Sequence, residues 1–176
     1  MRRPRTSWPL VAVIGIALSV FAVAGSASDR RVLVSRLASG LVCGQPSKRH
    51  VCFQTDTISI TGESTCVYDG QPAPCTWYGY SFDYQLPVEQ VTLQCVWSSS
   101  ARGDVGNPSG EVGRGVDQGR YELSLSGTTG HFFNPQYSLL PAESAEPGKA
   151  IRIKNSCSYR GEQLFEVVFN LRYPER

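Results

Sequence analysis

Two histidines, His50 and His131, are the only side chains in the sequence whose ordinary proton affinity falls near neutrality. For nucleophilic hydrolysis, one of them has to meet a serine and an acid in three dimensions. No G-x-S-x-G elbow supplies the serine. His50 stands beside Lys48 and Arg49, two residues before Cys52, and reads as an exposed loop histidine; His131 precedes Phe132 and Phe133 at the entrance to a strand. The acids nearest the aromatic part of the chain are Asp69, Asp83 and Glu89. Glycoside cleavage needs two carboxyls about 5 Å, or about 6.5–9.5 Å, apart, which a linear pattern does not reveal. Each of the three reads as a turn or surface residue. Phosphate-binding and dinucleotide fingerprints are missing, as is a calcium loop of the D-x-D-x-D-G kind, so no cofactor or metal is expected. A small secreted hydrolase, using a carboxylate pair or a histidine, stands as the alternative to a binding protein.

The stretch Cys75-Thr76-Trp77-Tyr78-Gly79-Tyr80-Ser81-Phe82-Asp83-Tyr84 is the most informative. With period two, Tyr78, Tyr80, Phe82 and Tyr84 share one strand face, and Trp77, Gly79, Ser81 and Asp83 share the other. A row of aromatics is first of all a wall of the core, in which every buried hydroxyl needs a partner. Left exposed, the same row suits sugar rings or a protein partner. Trp77, Tyr78, Tyr80 and Tyr84 are therefore the candidate ligand-binding residues, and a protein or a glycan is the expected partner. The triplet Arg102-Gly103-Asp104 spells an integrin-recognition motif inside a glycine-rich segment, but three residues recur easily by chance.

Six cysteines, Cys43, Cys52, Cys66, Cys75, Cys95 and Cys157, include no C-x-x-C pair, which speaks against a zinc site. An even count in an exported chain reads as a disulfide framework. Fifteen pairings exist, and the expected one is Cys43–Cys52, Cys66–Cys75 and Cys95–Cys157. Loop-closure entropy assigns about 2.7 kcal/mol to each short bridge and about 4 kcal/mol to the long one. Cys95 and Cys157 share inward parity with their neighbours, which suggests a bridge across a sandwich core.

Export itself is read from the N-terminus. Arg2, Arg3 and Arg5 precede the uncharged run Pro9–Ala24, followed by small residues, so 1–27 is a signal peptide cleaved near Ala24 or Ala27. Sixteen apolar residues fall short of the roughly 20 that span a bilayer. An uncleaved anchor is the alternative, and the processed chain keeps no membrane span. Of 17 Lys+Arg, three leave with that segment, so 14 face 15 Asp+Glu, a balance that gives no basic face for nucleic acid. The expected location is secreted or periplasmic.

These residues must be positioned by strands. Phe165, Val167, Phe169, Leu171 and Tyr173 alternate with polar residues, and Ile151, Ile153 and Cys157 do the same upstream, so 149–173 predicts a hairpin. Further strands are expected at 50–55, 57–61, 65–68, 76–85, 91–97, 121–125 and 132–140. A short helix is expected at Val32–Leu41, where Val34, Leu37, Ala38 and Leu41 recur at spacings of three and four. Ser98–Arg120, with six glycines, is expected to be a long loop, and Pro141–Gly148 a polar connection. The fold class predicted is all-β: an antiparallel β-sandwich of about eight strands, immunoglobulin-like in architecture but lacking the antibody Cys and Trp spacing, in one domain over 28–176. The function expected is non-enzymatic binding of an envelope glycan, an extracellular protein or a hydrolase to be inhibited. A structural part of an envelope assembly is a further alternative, recognisable by an unpaired strand edge.

Overall fold

A computed structural model describes residues 31–106, 112–140 and 149–175, so the expected signal peptide and the 141–148 connection lie outside the described residues. Ten strands follow in order: β1 (Leu33–Cys43), β2 (His50–Gln54), β3 (Thr57–Ser59), β4 (Ser64–Tyr68), β5 (Gln71–Gln85), β6 (Gln90–Gly106), β7 (Val112–Ser126), β8 (Thr129–Leu139), β9 (Ala150–Tyr159) and β10 (Glu162–Arg172). One sheet runs β2-β1-β5, with β4 and β8 also paired to β5; the other runs β3-β10-β9-β6-β7. The two sheets face each other as a β-sandwich. All pairings are antiparallel except β3 with β10, which is parallel. The hairpin turns are those their residues demand: Asp69-Gly70 and Arg160-Gly161 both take positive φ, as a two-residue turn between twisted strands requires.

The expected helix at Val32–Leu41 is instead β1. Its three-and-four spacing comes from a bulge: Ser35 pairs with Asp83 and Ala38 with Ser81, so β1 spends one extra residue there. Arg36 adopts φ 50° within it. The bulge flips the alternation, which lets Val34 and Leu41, seven residues apart, both pack on the core. A second correction concerns 98–120. Residues 98–106 and 112–120 are the outer parts of β6 and β7, a hairpin arm rather than a loop. Its residues lack apolar alternation because the arm extends past the end of the β6–β9 pairing and is tied to the β4–β5 turn mainly by polar contacts.

Phe82 and Tyr80 of β5 are fully buried and Tyr78 nearly so. Phe165 of β10 lies 4.8 Å from Phe82 and 5.7 Å from Tyr80, and Phe169 meets Tyr78 edge-on at 4.9 Å. Ile58, Leu93, Leu125 and Leu171 close the layer. Burying aromatics of this size dominates the energetics of a small core. One polar chain crosses it: the Tyr80 hydroxyl lies 3.1 Å from that of Tyr121, which in turn donates to Asn155 Oδ1.

Bridges join Cys43 to Cys52, Cys66 to Cys75 and Cys95 to Cys157. The last does not cross the sandwich, as inward parity suggested. Cys95 and Cys157 are direct partners on β6 and β9 of one sheet, 4.1 Å apart at Cα. The other two link β1 to β2 and β4 to β5, again within a sheet.

Candidate functional site

The inward parity of Tyr78, Tyr80 and Phe82 removes the tyrosine row from any ligand. Tyr78 is 3% exposed and Tyr80 0%. Ser138 Oγ donates to the Tyr78 hydroxyl, and burial pushes the Tyr78 phenol up to about 12. Tyr80 is also raised by burial. Tyr84 is half-buried, and its hydroxyl donates to the Ser126 carbonyl at 2.7 Å, tying β5 to β7 at one corner. Of the four candidates, only Trp77 faces outward.

Trp77 anchors a different surface. On the outer face of β5, Trp77, Gly79, Ser81 and Asp83 stand opposite Tyr137, Pro135, Phe133 and His131 of β8. Trp77 and Tyr137, both half-buried, meet edge-on with centroids 5.0 Å apart. The Tyr137 hydroxyl donates to the Val67 carbonyl at 2.9 Å, which fixes the ring over β4. Arg49 reaches in from the β1–β2 connection and lays its guanidinium 3.5 Å above the Trp77 ring. That connection is held short by the Cys43–Cys52 bridge and a 3-10 turn at Pro46–Lys48. One row along, the face is flat because Gly79 has no room for a side chain: a Cβ there would collide with the Asn134 carbonyl.

At the far end of the same face, Asp83 meets a histidine and an arginine. His131 Nδ1 lies 2.7 Å from Asp83 Oδ1, and Arg36, aimed by the β1 bulge, pairs with Oδ2. The hydrogen bond from His131, followed by the Arg36 charge, holds the Asp83 carboxyl below its usual range. An Asp–His contact is two-thirds of a hydrolytic triad. Here both carboxylate oxygens are engaged, the imidazole is 60% exposed, and among the described residues no hydroxyl is bonded to it. The arrangement is an ion-paired surface cluster.

His50 lies exposed with Nδ1 3.2 Å from the Lys48 carbonyl. Asp69 sits in the β4–β5 turn and Asp83 fourteen residues on along the fifteen-residue β5, some 40 Å away at strand rise, too far to share a glycosidic bond. The carbonyl of Glu89 accepts from Gly127 N–H in the β6–β7 sheet. Asp104 of the Arg-Gly-Asp triplet is engaged inside the molecule. It accepts from the Tyr68 hydroxyl at 2.6 Å and from Gly115 N–H at 3.0 Å, and pairs with Arg114, which also reaches Asp69. This contact latches the β6–β7 arm onto the β4–β5 turn, so the carboxylate is not presented to a receptor. Among the described residues, no group of three His, Cys, Asp or Glu is placed to hold a metal ion, and no helix is long and apolar enough to cross a membrane.

A structural role would need an open edge, and β8 has one, since among the described residues β5 is its single strand partner. The bonds Leu86 N–H to Thr128 carbonyl and Leu140 N–H to Pro74 carbonyl bracket the β5–β8 ladder. By alternation, the even residues of β8 bond to β5 and the odd residues turn their backbone outward. Pro135 is odd, so it removes a donor, and sets its ring, in the middle of the free edge.

Sequence reasoning missed Arg49, Tyr137 and Arg36. The outward parity of Phe133, Pro135 and Tyr137 was readable once 132–140 was a strand; nothing in the sequence signalled where Arg49 lands. The class is thus an all-β, disulfide-stapled sandwich with an aromatic–cationic patch on one outer face. No protein-family model matches the chain, and no curated protein matches it. Among solved structures, the chain is similar to an immunoglobulin-like protein from Pseudomonas aeruginosa, with a TM-score of 0.47 and 12% identity over 82% of this chain and 99% of that one.

Proposed function

We propose that the chain is an exported, non-enzymatic recognition module whose outer face of β5 and β8, centred on Arg49, Trp77 and Tyr137, docks a protein partner. Export is supported by the N-terminal segment and by three closed bridges, which belong to an oxidising compartment. The observation that carries the reading is the guanidinium of Arg49 over the Trp77 ring. A sugar stacking on Trp77 has to displace it. A protein surface uses the stack as it stands, because Trp, Tyr and Arg held rigid by one another are the residues that dominate protein interfaces. The flat row at Gly79 and Pro135 lets a partner approach the backbone closely.

The test is site-specific photocrosslinking in the producing cell. A crosslinker at Gln54, exposed beside Gly40 on the same face, gives a discrete protein adduct that Trp77→Ala abolishes; one at Gln94, on the opposite sheet, gives none. A polysaccharide adduct, or an adduct indifferent to Trp77→Ala, overturns the reading. Hydrolysis is the second reading, resting on the 2.7 Å His131–Asp83 contact. It requires a hydrolytic activity of the purified protein that His131→Gln eliminates.

A further inference from the structure

The opposite sheet carries a concave surface. It has a volume of about 380 Å³ and is lined by Val96, Trp97, Ser98, Gln118, Gly119, Arg120 and Lys154. It forms where the β6–β7 arm leaves the sheet: β9 accompanies β6 only as far as Ser99, and the β6–β7 register breaks after Ser98. On the outer face, Val96 lies opposite Arg120, and Ser98 lies between Gln118 and Lys154. By alternation Trp97 and Gly119 turn to the other face, where the Trp97 ring lies so close to Gly119 that a Cβ would collide with the indole nitrogen; on the groove side they present backbone alone. The groove therefore offers one apolar side chain, Val96, 46% exposed, with a hydroxyl, an amide and two cations around it.

The nearby carboxylates are accounted for. Glu166 pairs with Lys154 at 3.4 Å, and Glu122 accepts from the Gln94 amide. Arg120 has no ion-pair partner among the described residues. An unpaired guanidinium beside an apolar side chain takes a carboxylate in two-point fashion, with shape contact beside it. The volume falls at the lower end of small-molecule sites, enough for one ring or a short aliphatic acid.

We propose that this groove binds a small carboxylate-bearing ligand, with Arg120 as the anchor, Val96 as the apolar support, and Lys154, held by Glu166, at the rim. The site is separate from the Trp77 face and does not depend on it. The experiment is an NMR titration of the processed, oxidised protein with glucuronate, with succinate and with glucose, following the backbone amides of 96–98 and 118–120. Saturable shifts confined to the groove are expected with an acid and not with glucose. A preference for glucuronate identifies a sugar acid, a preference for succinate an aliphatic one. Arg120→Gln, on an exposed strand residue, weakens binding by about tenfold or more, as loss of a charge-assisted pair requires, while Trp77→Ala leaves it unchanged. The inference is overturned if neither acid saturates, if glucose binds as well as the acids, or if Arg120→Gln binds as the parent does.

Discussion

Removing the Cys95–Cys157 bridge by replacing both residues with alanine gives the sharpest test of what holds this fold. The bridge closes a separation of 62 residues, and the Cys43–Cys52 bridge one of nine. Loop-closure entropy therefore assigns about 4 kcal/mol to the long bridge and about 2.7 kcal/mol to the short one. The three loops do not overlap in sequence, so these contributions add. Cys95 and Cys157 are also buried, and losing two sulfur atoms from a packed core costs about 0.8 kcal/mol each on the scale of a methylene. Cys43 and Cys52 are exposed and carry no such addition. The expected losses are then about 6 kcal/mol against about 2.7 kcal/mol, or falls in Tm of roughly 12–24 °C against 5–11 °C. Guanidinium unfolding of the parent and the two double variants measures them. Repeated under reductant, the Cys95/Cys157 variant should differ from the parent by the packing loss alone. Equal losses for the two pairs, or a larger one for Cys43/Cys52, would refute the reasoning.

Pro135→Val restores the outward donor in the middle of the β8 edge, and light scattering should show concentration-dependent association absent from the parent. Stability should fall as pH rises from about 10 to about 12. The buried phenols of Tyr78 and Tyr80 are raised, so above the unfolded value only the unfolded chain releases their protons; the parent's denaturation midpoint against pH reads this, and Tyr78→Phe should flatten the slope. At the acid end the sign reverses. Asp83 and Asp104 are lowered, so their contribution is present above about pH 4 and disappears as pH falls further. Asp104→Ala unlatches the arm, so trypsin should cut faster at Arg102 and Arg114 without a change in the rest of the digest; an unchanged rate would deny the latch.

Alternation made nine of the ten strands legible, because buried and solvated faces leave a period of two in the residue types. β1 was lost to its bulge, since a single inserted residue converts that period into spacings of three and four. The outer halves of β6 and β7 were lost for the opposite reason: an arm held mainly by polar contacts has no apolar period to show. Trp77 was legible as a candidate, but its partners come from β8 and from the β1–β2 connection, and long-range placement leaves no mark on the local sequence. Tyr78 and Tyr80 read both as core wall and as ligand platform, and their burial puts them in the wall. The two readings share one alternation, and only the opposing Phe165 and Phe169 decide between them.

Every covalent crosslink here staples neighbours in one layer, and this bears on how the chain matures. As it emerges N-terminus first, each of the first two pairs of thiols is only nine residues apart and meets inside its own hairpin. When β9 appears, Cys95 and Cys157 have only each other left. An oxidant acting in order of synthesis reaches the native set without shuffling, and the two layers need to close only once their stitching is complete.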